Sequence, residues 1–210
     1  MGSVLVVGTG LVGTSVGLAL RAAGVQVYLQ DRQPGRAATA AALGAGEAGP
    51  PGEPVDLAVL AVPPQELAAA YAGLVRPPGA RPGPAGPGPA RGYTDVTSVK
   101  AAPVRALRAT GLPLDRFAGG HPLAGGERSG PGAARADLFR GRPWVLTPLP
   151  ETEPAVLARV EELARRCGAA PVVLGPEEHD AAVALVSHAP HLVASLVAAR
   201  LADAAPEQVA

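Results

Sequence analysis

The chain of 210 residues is long enough for one domain, or for one plus the start of a second, and can bury a core of its own. Its 18 Lys and Arg balance 18 Asp and Glu and only 3% of residues are aromatic, so a polyanion-attracting field and stacking platforms for bases are both missing and nucleic acid is excluded as a partner. The single cysteine, Cys167, excludes an internal disulfide framework and points to a reducing, cytoplasmic setting.

Residues 3–7 are a short valine-rich run of the kind buried on both faces of a parallel sheet. A helical pattern over 11–23 ends at Gly24, a C-terminal cap, and is followed by a strand over 25–30, a helix over 36–43, a strand over 56–62 and a helix over 65–74. This strict alternation predicts βαβ units in an α/β fold with a doubly wound parallel sheet. Ten of the thirteen residues in 77–89 are Pro or Gly, which predicts a surface loop with no assigned function. The rhythm then resumes: strand 92–96, helix 101–109, strands 116–119 and 143–147, helix 154–167, strand 170–174. From Glu177 onward the pattern is purely helical, which places a boundary near Pro176 between a domain over 1–176 and the start of an all-helical one over 177–210. His188, His191 and Arg200 interrupt the apolar C-terminal run and no basic segment precedes the apolar N-terminus, so no membrane span is expected.

Gly8-Thr9-Gly10-Leu11-Val12-Gly13 stands where the first strand turns into the first helix. In that context Gly8 permits the tight turn, Gly10 lets a pyrophosphate approach the backbone at the helix N-terminus that Leu11 and Val12 begin, and Gly13 lets the helix pack closely on the sheet, a Rossmann-type dinucleotide site. Asp31 ends the second strand 18 residues beyond Gly13, where a carboxylate accepts hydrogen bonds from ribose hydroxyls and repels a 2′-phosphate. NAD is therefore favoured over NADP, with Arg32 beside Asp31 as the residue that would take a phosphate. A surface aspartate opening a turn is the alternative at position 31.

Ligands of open α/β sheets bind beyond the carboxyl ends of the strands, where Val62, Pro63, Ser98 and His121 are expected to join the glycine turn. His121 precedes Pro122 in a glycine-rich segment, and an imidazole of ordinary pKa near 6.5 can accept a proton while a neighbouring carbon gives up hydride. An inert loop histidine is the alternative there, and a helix N-cap is the alternative for Ser98. Lys100 is the single lysine of a chain that otherwise uses arginine, so a compact ammonium is wanted at that point. His188 and His191, three apart, share a helix face and could flank an anion. No third ligand completes a zinc spacing with them, and no metal is expected.

Taken together, the glycine turn, Asp31, the Thr94-Asp95-Val96-Thr97-Ser98-Val99-Lys100 block, Gly120-His121-Pro122-Leu123-Ala124-Gly125 and Ser187-His188-Ala189-Pro190-His191 resemble the prephenate/arogenate dehydrogenases of tyrosine biosynthesis. The resemblance implies NAD-dependent oxidative decarboxylation of prephenate or arogenate, and a helical dimerisation domain that makes the full-length protein a homodimer. It also implies site roles: His121 hydrogen-bonds the substrate hydroxyl, Ser98 supports that contact, Lys100 belongs to the catalytic set, and His191, with His188 beside it, approaches the substrate from the helical domain. The family's carboxylate-gripping arginine has no counterpart in these residues, so the chain is expected to be a fragment or truncated product. Two alternatives stand beside this reading. One is another Rossmann dehydrogenase of β-hydroxyacid or imine reductase type, which would need a later catalytic lysine; the other is a catalytically incomplete NAD-binding fragment.

Overall fold

Val4, Leu5 and Val6 are all fully buried, because the strand they form, β1 (Ser3–Val7), lies in the middle of a sheet covered on both faces. A computed structural model of the chain describes residues 1–76 and 88–202. After β1 come α1 (Leu11–Ala22), β2 (Gln26–Gln30), α2 (Pro34–Ala42), β3 (Glu47–Ala48), β4 (Leu57–Leu60), a 3-10 turn (Pro64–Glu66), α3 (Leu67–Val75) and β5 (Tyr93–Asp95). The five strands are all parallel and ordered β3-β2-β1-β4-β5. The chain therefore steps outward from β1 through β2 and then returns to its other side with β4, leaving a crevice at the carboxyl ends. Strand residues alternate between two cores: Val4, Val6, Leu57 and Val59 pack with Val16, Leu20 and Trp144, while Leu5, Ala58 and Leu60 pack with Leu67, Tyr71 and Phe117.

The expected alternation holds to this point, with the short β3 added; the loop read over 77–89 lies outside the described residues up to position 87. Beyond α4 (Ala101–Ala109), three further strands stand apart from the parallel sheet. β6 (Ala118–Pro122), β7 (Pro143–Pro148) and β8 (Ala170–Val173) form a second sheet in which β6 and β7 are antiparallel and only β7 and β8 are parallel. A crossover helix, α5 (Pro154–Arg166), joins β7 to β8, whereas only a 3-10 turn (Pro131–Ala133) interrupts the segment between β6 and β7. A single bridge, Tyr93 to Phe117, links β6's approach to β5.

Helix α6 (Pro176–Val183), a π-helical turn (Ala184–His188) and α7 (Ala189–Ala202) are the last of the described elements. Along this run Leu185, Leu192, Val193, Leu196 and Val197 are exposed, Leu185 to 75%. The polar residues expected to interrupt it do not break the helix, and by length and composition alone the run Pro176–Arg200 is long and apolar enough to cross a membrane.

Candidate active site

The glycine turn is built by two close approaches and one opening. Gly8 has φ of 98°, and a Cβ there would come within 2.3 Å of the Ala61 carbonyl oxygen. A Cβ on Gly13 would stand 2.0 Å from the Gly8 carbonyl oxygen, so α1 can approach β1 and β4 only because Gly13 has no side chain. Gly10 is the reverse case: a Cβ there meets nothing within 4 Å, and the unpaired N–H groups of the first turn of α1 face that open space. This cradle fits a pyrophosphate.

At the end of β2, the Asp31 carboxylate accepts hydrogen bonds from the Thr9 N–H at 2.7 Å, the Thr9 hydroxyl at 2.9 Å and the Gln33 N–H at 2.9 Å. Burial pushes its carboxyl up, but the N–H groups of Gln33 and Thr9 outweigh that and hold it below the usual range, so Asp31 stays ionised. Arg32 is turned outward, 81% exposed, and pairs with Glu66 at 2.9 Å. Arg36 also lines the cavity, and its positive charge helps to hold the Asp31 carboxyl down.

The end of β5 is organised around a buried carboxylate. Asp95 accepts hydrogen bonds from the Thr97 N–H at 2.9 Å, the Thr97 hydroxyl, the Gly120 N–H at 3.2 Å and the Lys100 ammonium at 2.5 Å. Lys100 also donates to the Gly120 carbonyl and, at 3.2 Å, to Thr97 Oγ1. Burial pushes the Lys100 ammonium down, and the Asp95 carboxylate opposes it. Lys100 is only 1% exposed and is not among the residues that line the cavity. Its contact with the Gly120 carbonyl ties it to the residue before His121. Ser98, by contrast, is exposed and lines the cavity. It does not cap α4; that is done by Asp180 of α6, whose carboxylate accepts the N–H groups of Lys100 at 2.7 Å and Ala101 at 2.9 Å.

His121 lies within β6, paired with Val145, and not in an uncrowded loop beyond the strand. It is half-buried and lines the cavity, and its Nδ1 is 2.9 Å from Nε2 of His179. His179 is fully buried, with Nδ1 2.8 Å from Asp180 Oδ1. Neither His179 nor Asp180 stood out in the sequence, although a His-Asp pair in the first turns of a helix was the available signal.

A cavity of about 770 Å³, within the ~300–1,000 Å³ common for small-molecule sites, gathers these groups at the carboxyl ends of the strands. Gly8, Gly10, Leu11, Val12, Gly13, Asp31, Arg32, Val62, Pro63, Ser98 and His121 all line it, so eleven positions expected from the sequence share one space. His191 is exposed on α7 and is not among the described lining residues. His188 ends the π-helical turn, and its side chain lies outside the described residues.

Comparison with known proteins agrees with this arrangement. Residues 16–173 match the nucleotide-binding domain of prephenate dehydrogenase, and residues 175–209 match the dimerization domain of prephenate dehydrogenase. A probable prephenate dehydrogenase, NovF, of Streptomyces niveus is 48% identical over 97% of this chain, which spans 54% of that relative's length. The structure of prephenate dehydrogenase from A. aeolicus in complex with hydroxyphenyl propionate and NAD+ superposes with a TM-score of 0.82 at 31% identity, covering 99% of this chain and 72% of the other. Arogenate dehydrogenase of Synechocystis gives a TM-score of 0.79 at 29% identity, with coverage of 99% and 72%. With three quarters of its length inside the first match, the chain belongs to the prephenate dehydrogenase family.

Proposed function

We propose that the chain carries the cofactor and proton-acceptor half of an NAD-dependent dehydrogenase that oxidatively decarboxylates prephenate or arogenate in tyrosine biosynthesis. The observation that carries this reading is that His121 and Ser98 line the same cavity as the glycine turn and Asp31. The open face at Gly10 would hold the pyrophosphate, and ionised Asp31 would hold the adenosine ribose, its negative charge opposing a 2′-phosphate. When bound, the dinucleotide supplies a ring that accepts hydride. His121 takes the proton of the substrate hydroxyl as that carbon becomes a carbonyl, and Ser98 steadies the same oxygen. Loss of carbon dioxide then makes the ring aromatic, and His121 returns the proton to the phenol oxygen. The protein therefore need only orient the two reactants and hold one proton.

The segment matching the family's dimerization domain leaves Leu192, Val193, Leu196 and Val197 exposed, which supports a homodimer. The buried thiol of Cys167 is in keeping with a cytoplasmic enzyme.

Purified full-length protein incubated with NAD+ and either prephenate or arogenate is expected to form NADH. Absence of turnover with both substrates overturns the reading; NAD+ binding that persists in that case identifies a dinucleotide-binding unit without the proposed activity. His121→Asn is expected to lower kcat by about 10²- to 10⁴-fold with the Kd for NAD+ little changed.

A further inference from the structure

Three side chains stand in line behind the cavity. His121 Nδ1 lies 2.9 Å from His179 Nε2, and His179 Nδ1 lies 2.8 Å from Asp180 Oδ1. An ionised carboxylate only accepts hydrogen bonds, so the order of the protons follows from its end of the line. Asp180 is ionised: burial pushes its carboxyl up, but the Ala101 N–H, His179 and the Lys100 N–H together hold it below the usual range. Nδ1 of His179 must then donate to it, and a ring whose one proton sits on Nδ1 accepts at Nε2. Among the described residues, the proton that satisfies this acceptor is one on Nδ1 of His121.

We propose that His179 and Asp180 are positioning residues that lock His121 as the Nδ1–H tautomer, so that its basic nitrogen is Nε2. The inference rests on the reading of His121 as the proton acceptor and extends it to the residues that prepare it. When Nε2 of His121 takes the substrate proton, the ring becomes an imidazolium whose Nδ1–H already points at His179. His179 is fully buried, so no water competes for that hydrogen bond, and the negative charge of Asp180 lies one ring further on. The two rings meet edge to face, with centroids 5.1 Å apart and planes at 71°, which fixes the orientation of the His121 ring as well as its tautomer.

Asp180 has a second task that links this line to the rest of the site. The same carboxylate caps α4 through the Lys100 and Ala101 N–H groups, and Lys100 in turn grips the Gly120 carbonyl. The backbone and the side chain of the β6 histidine are thus both referred to one point on α6.

The chain has four histidines, so long-range ¹H–¹⁵N correlation spectra of the ¹⁵N-histidine-labelled protein can assign each tautomer without substrate or cofactor. His121 is expected to carry its proton on Nδ1 in the wild type. His179→Leu is expected to return it to the commoner Nε2–H form and to lower kcat about 10²-fold, with KM for NAD+ and the far-ultraviolet circular dichroism spectrum retained. His179→Gln, whose carbonyl oxygen can still accept from Nδ1, is expected to recover most of that loss. An Nε2–H tautomer in the wild type overturns the proposal whatever the variants do. Unchanged kcat in His179→Leu, or equal loss in the Leu and Gln variants, overturns it as well. The expected tautomer in a protein that turns over neither prephenate nor arogenate upholds the proton order and removes the proposed activity, so the two failures are separable.

Discussion

The Lys100 ammonium and the Asp95 carboxylate meet at 2.5 Å with each side chain only 1% exposed. Such a pair is held by its geometry, since each charge alone would be intolerable at that depth. Lys100→Met leaves Asp95 buried and uncompensated and is expected to cost about 3–5 kcal/mol in urea unfolding. Lys100→Arg should not restore stability, because a planar fork does not reproduce the contacts of a compact ammonium with Asp95, Thr97 and the Gly120 carbonyl. A Lys100→Met variant as stable as the wild type would show that the pair contributes nothing.

Gly10 and Gly13 separate binding from folding. Gly10→Ala places its methyl in open space and is expected to leave stability within about 0.5 kcal/mol while weakening NAD+ in calorimetric titration. Gly13→Ala, with its methyl 2.0 Å from the Gly8 carbonyl oxygen, is expected to lose both binding and stability. Equal melting temperatures for the two variants would contradict the packing described for α1.

Removing the Asp31 carboxylate takes away the acceptor of the Thr9 and Gln33 N–H groups and the group placed to meet the ribose. Asp31→Ala is expected to raise the Kd for NAD+ about tenfold or more and to narrow its advantage over NADP+. A preference that does not move would place the ribose elsewhere.

Acid should weaken the fold through Asp56, among other carboxylates. The Gly2 N–H at 2.6 Å, aided by Ser3, holds this carboxyl below the usual range despite partial burial. A carboxyl with a lowered native pKa contributes stability above its unfolded-state pKa, near 4, and loses that contribution as pH falls through the native value. Asp56→Asn is expected to flatten the decline in urea midpoint between about pH 5 and pH 3. An unchanged slope would show that the Gly2 contact carries no linkage.

Burial pushes the Cys167 thiol up to about 12, and the residue is 3% exposed. A thiol reagent near pH 8 is expected to leave it unmodified in the folded protein and to label one equivalent in urea. Rapid labelling without denaturant would mean that the α5–β8 corner opens readily.

The spacing of apolar runs was enough to read β1, β2, β4, β5 and the helices between them, because both faces of a parallel sheet demand continuous burial. The direction of β6 against β7 was not legible, since strand direction depends on the path of the connection and leaves no trace in composition. The cavity wall was readable because Gly8, Asp31, Val62, Ser98 and His121 each end or follow a strand, and strand ends converge in this topology. What lies behind the wall was hidden. Lys100 stood out as the single lysine, but its buried partner Asp95 could not be read from that. His179 meets His121 across 58 positions of sequence, and no local pattern announces a contact of that range.

That contact also bears on how such chains can be recombined. The first turns of α6 deliver the acceptor that closes α4 and the ring that stands behind His121, so the seam between the two family matches is chemically interlocked. A chimera that grafts a foreign helical half onto this one would keep its imidazole in register when the crossover point falls after Asp180. A crossover ahead of His179 succeeds only if the incoming half brings a His-Asp pair of its own.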